Sequence, residues 1–495
     1  MLNLLLAVLS AVLLIFSFPR FNYTALMAVA LTPLLVAAGR ENRAWRRFLL
    51  GWVTGAGCLV GICPWIRFVM VTHGGLDAAS GWAVFALFCL SKGLYFGVFA
   101  WLAGYVLKLW WAIPAVAAAW VAVDATFGAM GFVWITLGHA GVDMGLPMRL
   151  APITGVHGLS FVFMMMATAL AQVALRRPRI ELAWLIALPL LAALPPLPEP
   201  EKGRSQAVLV QPNISETSQW TWEWLDRVQR RLMSLTMNEA LRAGTPKPDL
   251  LVWPEMPLPL YFDEDPRLRD HVRTLTRVTG TPLLFGAVAH TPDRKPLNSA
   301  YLVSSADEVV ARYDKVHLVP FGEYVPWALS FANKISTELG DFVPGEKLVV
   351  APANGHKVSL FICYESAFAS HVRGFVADGA ELLVNLSNDG YFGDSNAREQ
   401  HLMVVRMRAA ENRRWILRGT NSGITASVDP AGRVVDWAPP FVETTKRAQF
   451  SYSRQLTFYT RHGDWFAWLC GLVSLAGLGT GWRRHPWRMI RTSPS

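Results

Sequence analysis

The sequence predicts a multi-span α-helical membrane bundle joined to an α/β sandwich domain, and three observations carry that reading. The 495 residues are 53% hydrophobic, include 21 Trp and are only 17% charged, against roughly 25% charged in a soluble domain. The deficit is confined to residues 1–198 and 463–495, whereas residues 199–462 have ordinary soluble composition. Within that middle region, short β-prone runs alternate with helical stretches, the pattern of layered α/β folds. The chain therefore divides into a seven-helix membrane domain (1–198), a soluble domain (199–462), and a final transmembrane helix with a basic tail (463–495).

A hydrocarbon core of roughly 30 Å takes about 20 apolar residues per helix. Residues 2–18, 22–38, 49–70, 81–103, 109–127, 150–175, 180–197 and 465–482 are the expected spans. The first lacks a basic start and a small-residue cleavage site, so it reads as a retained helix rather than a signal peptide. Orientation follows from the short loops. Arg40, Arg43, Arg46 and Arg47, then Lys108, then Arg176, Arg177 and Arg179, then Arg483, Arg484, Arg488 and Arg491 all fall on one side if the spans alternate. Both termini are then cytoplasmic and the soluble domain lies outside. These clusters also account for the net charge of +10; they flank membrane segments, and no nucleic-acid groove is expected. Arg67, Lys92, Asp124 and His139 lie in or near the spans, where structural contacts and polar cavities both explain ionisable groups. Arg67 and Arg149 are expected near the outer surface, where a lipid phosphate is one conceivable partner.

A Pro-rich linker, Leu197 to Gly203, opens the soluble region. Strands are expected at 207–211, 249–255, 282–288, 299–304, 358–363, 381–388, 415–418 and 424–428, with helices at 220–243 and 396–413. Residues 313–326 read as a loop rich in Pro, aromatics and charge. There is no internal repeat, Walker loop, dinucleotide fingerprint or zinc-ligand spacing.

Of five Cys, four (Cys58, Cys63, Cys89, Cys470) lie in the apolar segments, leaving Cys363 as the one thiol of the soluble domain. It ends the run Lys357-Val-Ser-Leu-Phe-Ile-Cys363, and strand ends are where α/β folds display reactive groups. Two other strand or loop ends carry Glu255 and Lys315. Thiol acyl transfer uses these residue types: a base to take the thiol proton, and a cation to favour thiolate and oxyanion. Taken singly, Glu255 after Trp-Pro reads equally as a turn residue, Lys315 as a solvated loop charge, and Cys363 as a core cysteine.

Trp253-Pro-Glu255, Tyr313-Asp-Lys-Val-His-Leu-Val-Pro-Phe-Gly-Glu323 and Ile362-Cys-Tyr-Glu365 resemble, in order, the three signatures of the nitrilase superfamily. Together with Asn385-Leu-Ser-Asn-Asp-Gly-Tyr-Phe-Gly393 and the multi-span N-terminus, they resemble the bacterial apolipoprotein N-acyltransferase family. Gln211-Pro-Asn-Ile214, Met407-Arg-Ala-Ala-Glu411, Thr420-Asn-Ser-Gly-Ile-Thr425, Gly131-Phe-Val-Trp134 and Leu150-Ala-Pro-Ile153 extend the likeness over the whole chain. Gly390, Tyr391 and His139 depart from the usual family residues, outside the three signatures.

The resemblance implies a nitrilase-like αββα sandwich with Glu255 as general base, Lys315 as oxyanion stabiliser, Cys363 as nucleophile and Glu323 as a second essential glutamate. It places Tyr364 and Glu365 around the pocket and Trp220 on an arm near a lipid entrance. The implied reaction is ping-pong, without metal or cofactor, by a membrane-integral monomer of the bacterial inner membrane with its catalytic domain in the periplasm. Cys363 takes an acyl chain from the sn-1 ester of a phospholipid such as phosphatidylethanolamine. It then passes the chain to the amine of a diacylated apolipoprotein. A membrane-tethered nitrilase-type amidase and a non-catalytic lipoprotein-binding relative are the alternatives.

Overall fold

The computed structural model describes residues 1–130, 132–200, 202–215, 220–320, 322–324 and 342–483. Gly131, Phe321, the end of the 313–326 loop beyond Tyr324, and Arg484, Arg488 and Arg491 of the basic tail lie outside the described residues.

Among these residues twelve strands follow in chain order: β1 (Ser205–Gln211), β2 (Leu250–Val252), β3 (Leu283–His290), β4 (Pro296–Val303), β5 (Val309–Asp314), β6 (Val350–Ala353), β7 (His356–Ile362), β8 (Leu382–Ser387), β9 (Ile416–Thr420), β10 (Ala426–Val428), β11 (Val434–Trp437) and β12 (Thr444–Phe450). They form two six-stranded sheets, ordered β12-β1-β2-β3-β4-β5 and β11-β10-β9-β8-β7-β6. The alternation in β1 shows the layering. Ala207 and Leu209 join Leu250, Val252 and Leu284 in one core with Leu360, Ile362 and Val384 of the second sheet. Val208 and Val210 face the other way, onto Leu232, Leu268 and Val272 of the helices Trp222–Ala240 and Pro266–Thr279. Helices Ala369–Ala377 and Ala397–Asn412 bring Val372, Phe375 and Met407 into the core of the second sheet, completing an α-β-β-α arrangement.

Strand direction decides where the chemistry collects. β1, β2 and β3 are parallel, and β5 runs with β3 because two antiparallel pairings separate them. β7, β8 and β9 are parallel as well. Residues that follow β2 and β5 therefore emerge at one end of the first sheet, and those that follow β7 and β8 at one end of the second.

The apolar regions are helical but more broken than composition implies. Ala78–Val106 and Val156–Ala174 are long and apolar enough to cross a membrane. The pair Ala44–Ile62 and Trp65–Thr72, bent by 61°, adds a third span if counted as one. The bend falls at Cys63-Pro64, where proline supplies no N–H to continue the ladder. Leu2–Ser17, Thr24–Arg40, Ala112–Asp124 and Trp465–Gly481 are shorter apolar helices. The expected span 22–38 begins as a 3-10 turn, Thr24–Ala28, before the helix Thr32–Arg40. The expected span 180–197 is not an α-helix: it forms 3-10 segments Arg179–Ala187 and Pro189–Ala193, with Pro178, Pro189 and Pro195 each lacking a donor. Small residues allow close packing in the bundle. A Cβ on Gly51 would stand 2.1 Å from the Phe96 carbonyl oxygen, so only glycine fits there.

The polar residues of this region have structural partners. Lys92 Nζ donates to the carbonyls of Phe127 and Phe132, at 2.8 Å each. His139 Nδ1 accepts from Thr136 N–H at 2.9 Å, and Asp124 lies 3.6 Å from His157. Arg67 stacks over Trp82 at 4.6 Å. Arg149 donates to the carbonyls of Ala192 and Leu194, at 2.9 Å each.

The two parts interlock along the helix Ala397–Asn412. Buried Gln400 accepts from the indoles of Trp134 (2.7 Å) and Trp65 (3.3 Å) and donates to the Ile62 carbonyl (2.8 Å), left free by the Pro64 break. Glu411 Oε1 accepts from Val156 N–H at 2.9 Å and so caps the helix Val156–Ala174.

Candidate active site

Glu255 follows β2 after Trp253-Pro254. Gly286 of β3 lets it pass, since a Cβ there would stand 2.8 Å from Glu255 Cα. Lys315 follows β5 directly, and Glu323 returns on the same loop. Lys315 Nζ donates to Glu323 Oε1 at 2.9 Å and to Glu255 Oε1 at 3.2 Å. Glu255 Oε2 accepts from Asn388 N–H at 3.0 Å, which ties the cluster to the end of β8. Glu323 Oε2 accepts from Val319 N–H at 2.8 Å.

Cys363 is the first residue after β7 and opens the 3-10 turn Cys363–Ala367. Its φ of +51° puts a side-chain-bearing residue in the left-handed region, a conformation that costs about 1–3 kcal/mol and clusters at functional sites. The thiol is buried. Desolvation, with the negative charge of Glu255 next, pushes it up to about 12, while Lys315 pulls it down. Burial likewise raises Glu255; Lys315 opposes this and Glu323 adds to it. For Lys315, burial opposes the charge, but Glu255, Glu323 and Cys363 outweigh it and hold the ammonium well above its usual range. The site thus holds a protonated thiol, a carboxylate of raised basicity and a permanent cation.

Glu365 is fully buried and acts as a clamp. Its Oε1 accepts from Tyr313 OH (2.6 Å), Val316 N–H (2.7 Å) and His317 N–H (3.1 Å), and its Oε2 from Ile362 N–H (2.7 Å). It therefore joins the Lys315 loop to the strand that carries Cys363, with no surface left for substrate. Tyr364 turns toward the apolar part: its hydroxyl accepts from Val133 N–H at 2.8 Å and its ring stacks on Phe132 at 5.6 Å. Trp220, 43% exposed, stands edge-on to Trp224 at 4.7 Å, and no described contact joins it to the cluster.

The structure adds Asn298, which sequence reading passed over. From β4, its Nδ2 donates to Glu255 Oε1 at 2.8 Å and to Glu323 Oε1 at 2.7 Å, bridging the two carboxylates. Nothing in the run Pro296–Val303 marks this residue except a polar side chain in an otherwise buried strand. Pro19, Arg20, Trp65, Phe68 and Phe392, but none of the residues of the cluster, help line a cleft of about 1010 Å³ between the apolar part and the soluble domain. That is the upper end of the roughly 300–1,000 Å³ of ligand pockets.

The carbon-nitrogen hydrolase family model matches residues 206–454, which contain the whole cluster and, except for Ser205, both sheets. The model of the apolipoprotein N-acyltransferase N-terminal domain matches residues 10–169. An apolipoprotein N-acyltransferase from Geobacter metallireducens is 34% identical over 491 residues, covering 94% of this chain and 92% of its own. The chain belongs to the apolipoprotein N-acyltransferase family. Another apolipoprotein N-acyltransferase, from Allorhizobium ampelinum, is 31% identical over 84% of this chain and 83% of its own. Among solved structures, an amidase of the nitrilase superfamily from Nesterenkonia AN1 aligns with a TM-score of 0.39 and 20% identity, over 51% of this chain and 92% of that one.

Proposed function

We propose that this apolipoprotein N-acyltransferase family member moves an acyl chain from the sn-1 ester of a phospholipid, phosphatidylethanolamine being the expected donor, to the N-terminal amine of a diacylglyceryl-cysteine apolipoprotein. The observation that carries the reading is the meeting of Glu255, after β2, with Lys315 and Glu323, from the loop after β5, within electrostatic reach of the strained Cys363 after β7. In the first half-reaction Glu255 takes the thiol proton and the sulfur attacks the ester carbonyl. Lys315 stabilises the oxyanion, Glu323 and Asn298 hold Lys315 and Glu255 in place, and Glu255 returns the proton to the departing lysophospholipid oxygen. In the second, Glu255 takes a proton from the incoming amine as the C–N bond forms, and returns it to Cys363 sulfur as the C–S bond breaks, releasing the amide and the free thiol. A thiol pushed up to about 12 needs a base at the moment of attack, and the raised basicity of buried Glu255 narrows the gap between them. No metal or cofactor enters, because the thioester itself stores the acyl group's reactivity.

The apolar helices serve as a multi-span bundle in the inner membrane, with domains at 1–198, 199–462 and 463–495, both termini cytoplasmic and the catalytic domain in the periplasm of a monomer. The basic clusters, which share one side if 180–197 crosses like the other expected spans, and the cleft between the apolar part and the soluble domain support this. Trp220 and Tyr364 border the lipid path, and Glu365 positions the site from behind.

Intact mass of the purified protein tests the chemistry. Phospholipid alone should add one acyl chain, neutral hydroxylamine should remove it, and a diacylated lipopeptide with a free amine should discharge it. Product that forms only when both substrates are present, with no adduct on phospholipid alone, would overturn the two-step reading. Release of ammonia from small amides, without acyl transfer, would favour an amidase.

A further inference from the structure

Behind Cys363 lies a second buried polar group that the reaction above does not use. His401, on the helix Ala397–Asn412, has no exposed surface; its Nε2 lies 3.0 Å from the main-chain carbonyl of Cys363 and 2.9 Å from Ser366 Oγ. A carbonyl oxygen only accepts, so Nε2 carries the proton. On the other side of the ring, Nδ1 lies 3.1 Å from Arg418 Nη2 and 3.0 Å from Asp389 Oδ1. Burial and the Arg418 charge press the imidazole's pKa down. Nδ1 is held between Arg418 Nη2 and Asp389 Oδ1, and in either of its states Nε2–H faces the Cys363 carbonyl.

Arg418 is anchored in turn. Its Nη2 donates to both oxygens of Asp389, at 2.8 and 2.7 Å, and its Nη1 donates to Asn385. Ser387 Oγ donates to Asp389 at 2.9 Å. Strands β8 and β9, the helix Ala397–Asn412 and the nucleophile turn thus meet in one network with almost no solvent contact. An ion pair buried this deeply carries a desolvation penalty that apolar residues of similar size would avoid, so stability alone is a weak reason for it. What it does is fix one tautomer and one orientation of His401, the only side chain given a bond to the nucleophile's own carbonyl among the described residues.

We propose that His401 is a positioning residue for the nucleophile: its Nε2–H, oriented by Arg418 and Asp389, holds the Cys363 peptide in the left-handed conformation that presents the thiol to Glu255 and Lys315. A left-handed cysteine persists only if its surroundings over-determine it. Two bonds do so here: Glu365 takes the N–H of Ile362, before Cys363, and His401 bonds the carbonyl after it. His401 is not a second base for the thiol, because both ring nitrogens are engaged elsewhere.

The inference rests on Cys363 as the reacting thiol, and the test separates the two ideas. Three proteins are compared: wild type, His401→Phe, which keeps a ring without a donor, and His401→Gln, whose amide donates from near the Nε2 position. Each is measured for thermal stability, for iodoacetamide alkylation of Cys363 by peptide mass, and for acylation by phospholipid across pH. A nucleophile displaced by about 1 Å loses roughly 10²-fold in rate. Folded His401→Phe should therefore lose about that factor in both alkylation and acylation kcat with KM unchanged, and His401→Gln should recover most of both without changing the pH profile. If His401→Phe does not fold, His401→Asn, too short to reach the carbonyl, replaces it. Wild-type rates in a folded donorless variant would overturn the proposal. So would failure of folded His401→Gln to recover, or loss of a pH limb in His401→Gln. If wild-type protein alkylates at Cys363 but never takes an acyl group, the thioester reading fails and this one stands.

Discussion

Lys315 Nζ stands 3.2 Å from Glu255 Oε1, and neither side chain has more than a trace of exposed surface. The contact sets the proposed base and the proposed oxyanion stabiliser side by side, and each can be removed separately. Glu255→Gln keeps the shape and removes the base; it should slow single-turnover acylation by about 10²–10⁴-fold. Lys315→Met should slow it by about 10²–10³-fold. Either variant acylating at the wild-type rate, followed by mass, would take that residue out of the chemistry.

The five cysteines divide by position. Cys58, Cys63, Cys89 and Cys470 are buried and unpaired in the apolar region. Replacing each of these four by Ala should leave acylation within a few-fold, whereas Cys363→Ala should form no acyl adduct. An adduct on Cys363→Ala, mapped by peptide mass, would identify a different nucleophile.

Asn298 donates to two carboxylates at once, and its bond to Glu255 favours that group's ionised form. A donor to a carboxylate lowers its pKa, so Asn298→Ala should raise the already elevated Glu255 further. The base must be ionised to act, so the acid limb of the acylation–pH profile should move to higher pH. A limb that stays in place would mean that Asn298 does not tune the base.

Glu365 should govern acid stability. Burial opposes its charge, but bonds from His371, Ile362 N–H and Tyr313 hold it below the usual carboxylate range. Its stabilising contribution is therefore complete above the unfolded value of about 4.3 and is lost as pH falls through the lower folded value. Glu365→Gln should lower Tm at neutral pH and flatten its decline below about pH 4.3. A parallel decline in mutant and wild type would refute the linkage.

Gln400 satisfies three buried groups across the junction. Gln400→Leu leaves the Ile62 carbonyl and two indole N–H groups without it, at about 1–3 kcal/mol for each group left unsatisfied. Thermal unfolding in detergent should show a clear loss of Tm, and no loss would mean that other partners replace the amide.

Much of the site was legible because its residues end strands. Trp253-Pro254 stops β2 at Val252 and leaves Glu255 just past its end, and the apolar run before Cys363 points to a sheet that delivers it. Asn298 and His401 were not legible, since each is one polar residue inside a regular element whose partners lie on other elements, from 12 to 43 positions away. In the soluble domain, Val309–Asp314 and Pro266–Thr279 escaped notice because exposed and charged positions dilute their apolar pattern. In the apolar region, hydrophobicity marked residues 180–197 but could not separate an α-helix from proline-broken 3-10 turns.

The bond from Val133 N–H to the Tyr364 hydroxyl has a consequence for how this chain can be divided. The residue next to Cys363 is braced by a segment that the carbon-nitrogen hydrolase match does not include. A catalytic half produced alone would lose more than its anchor: the turn bearing Cys363 would be missing one of its walls. A chimaera carrying another N-terminal half would keep this brace only if its backbone set an N–H where that of Val133 stands. The two halves must therefore change together, and the 132–134 segment is where a chimaera would first show the mismatch.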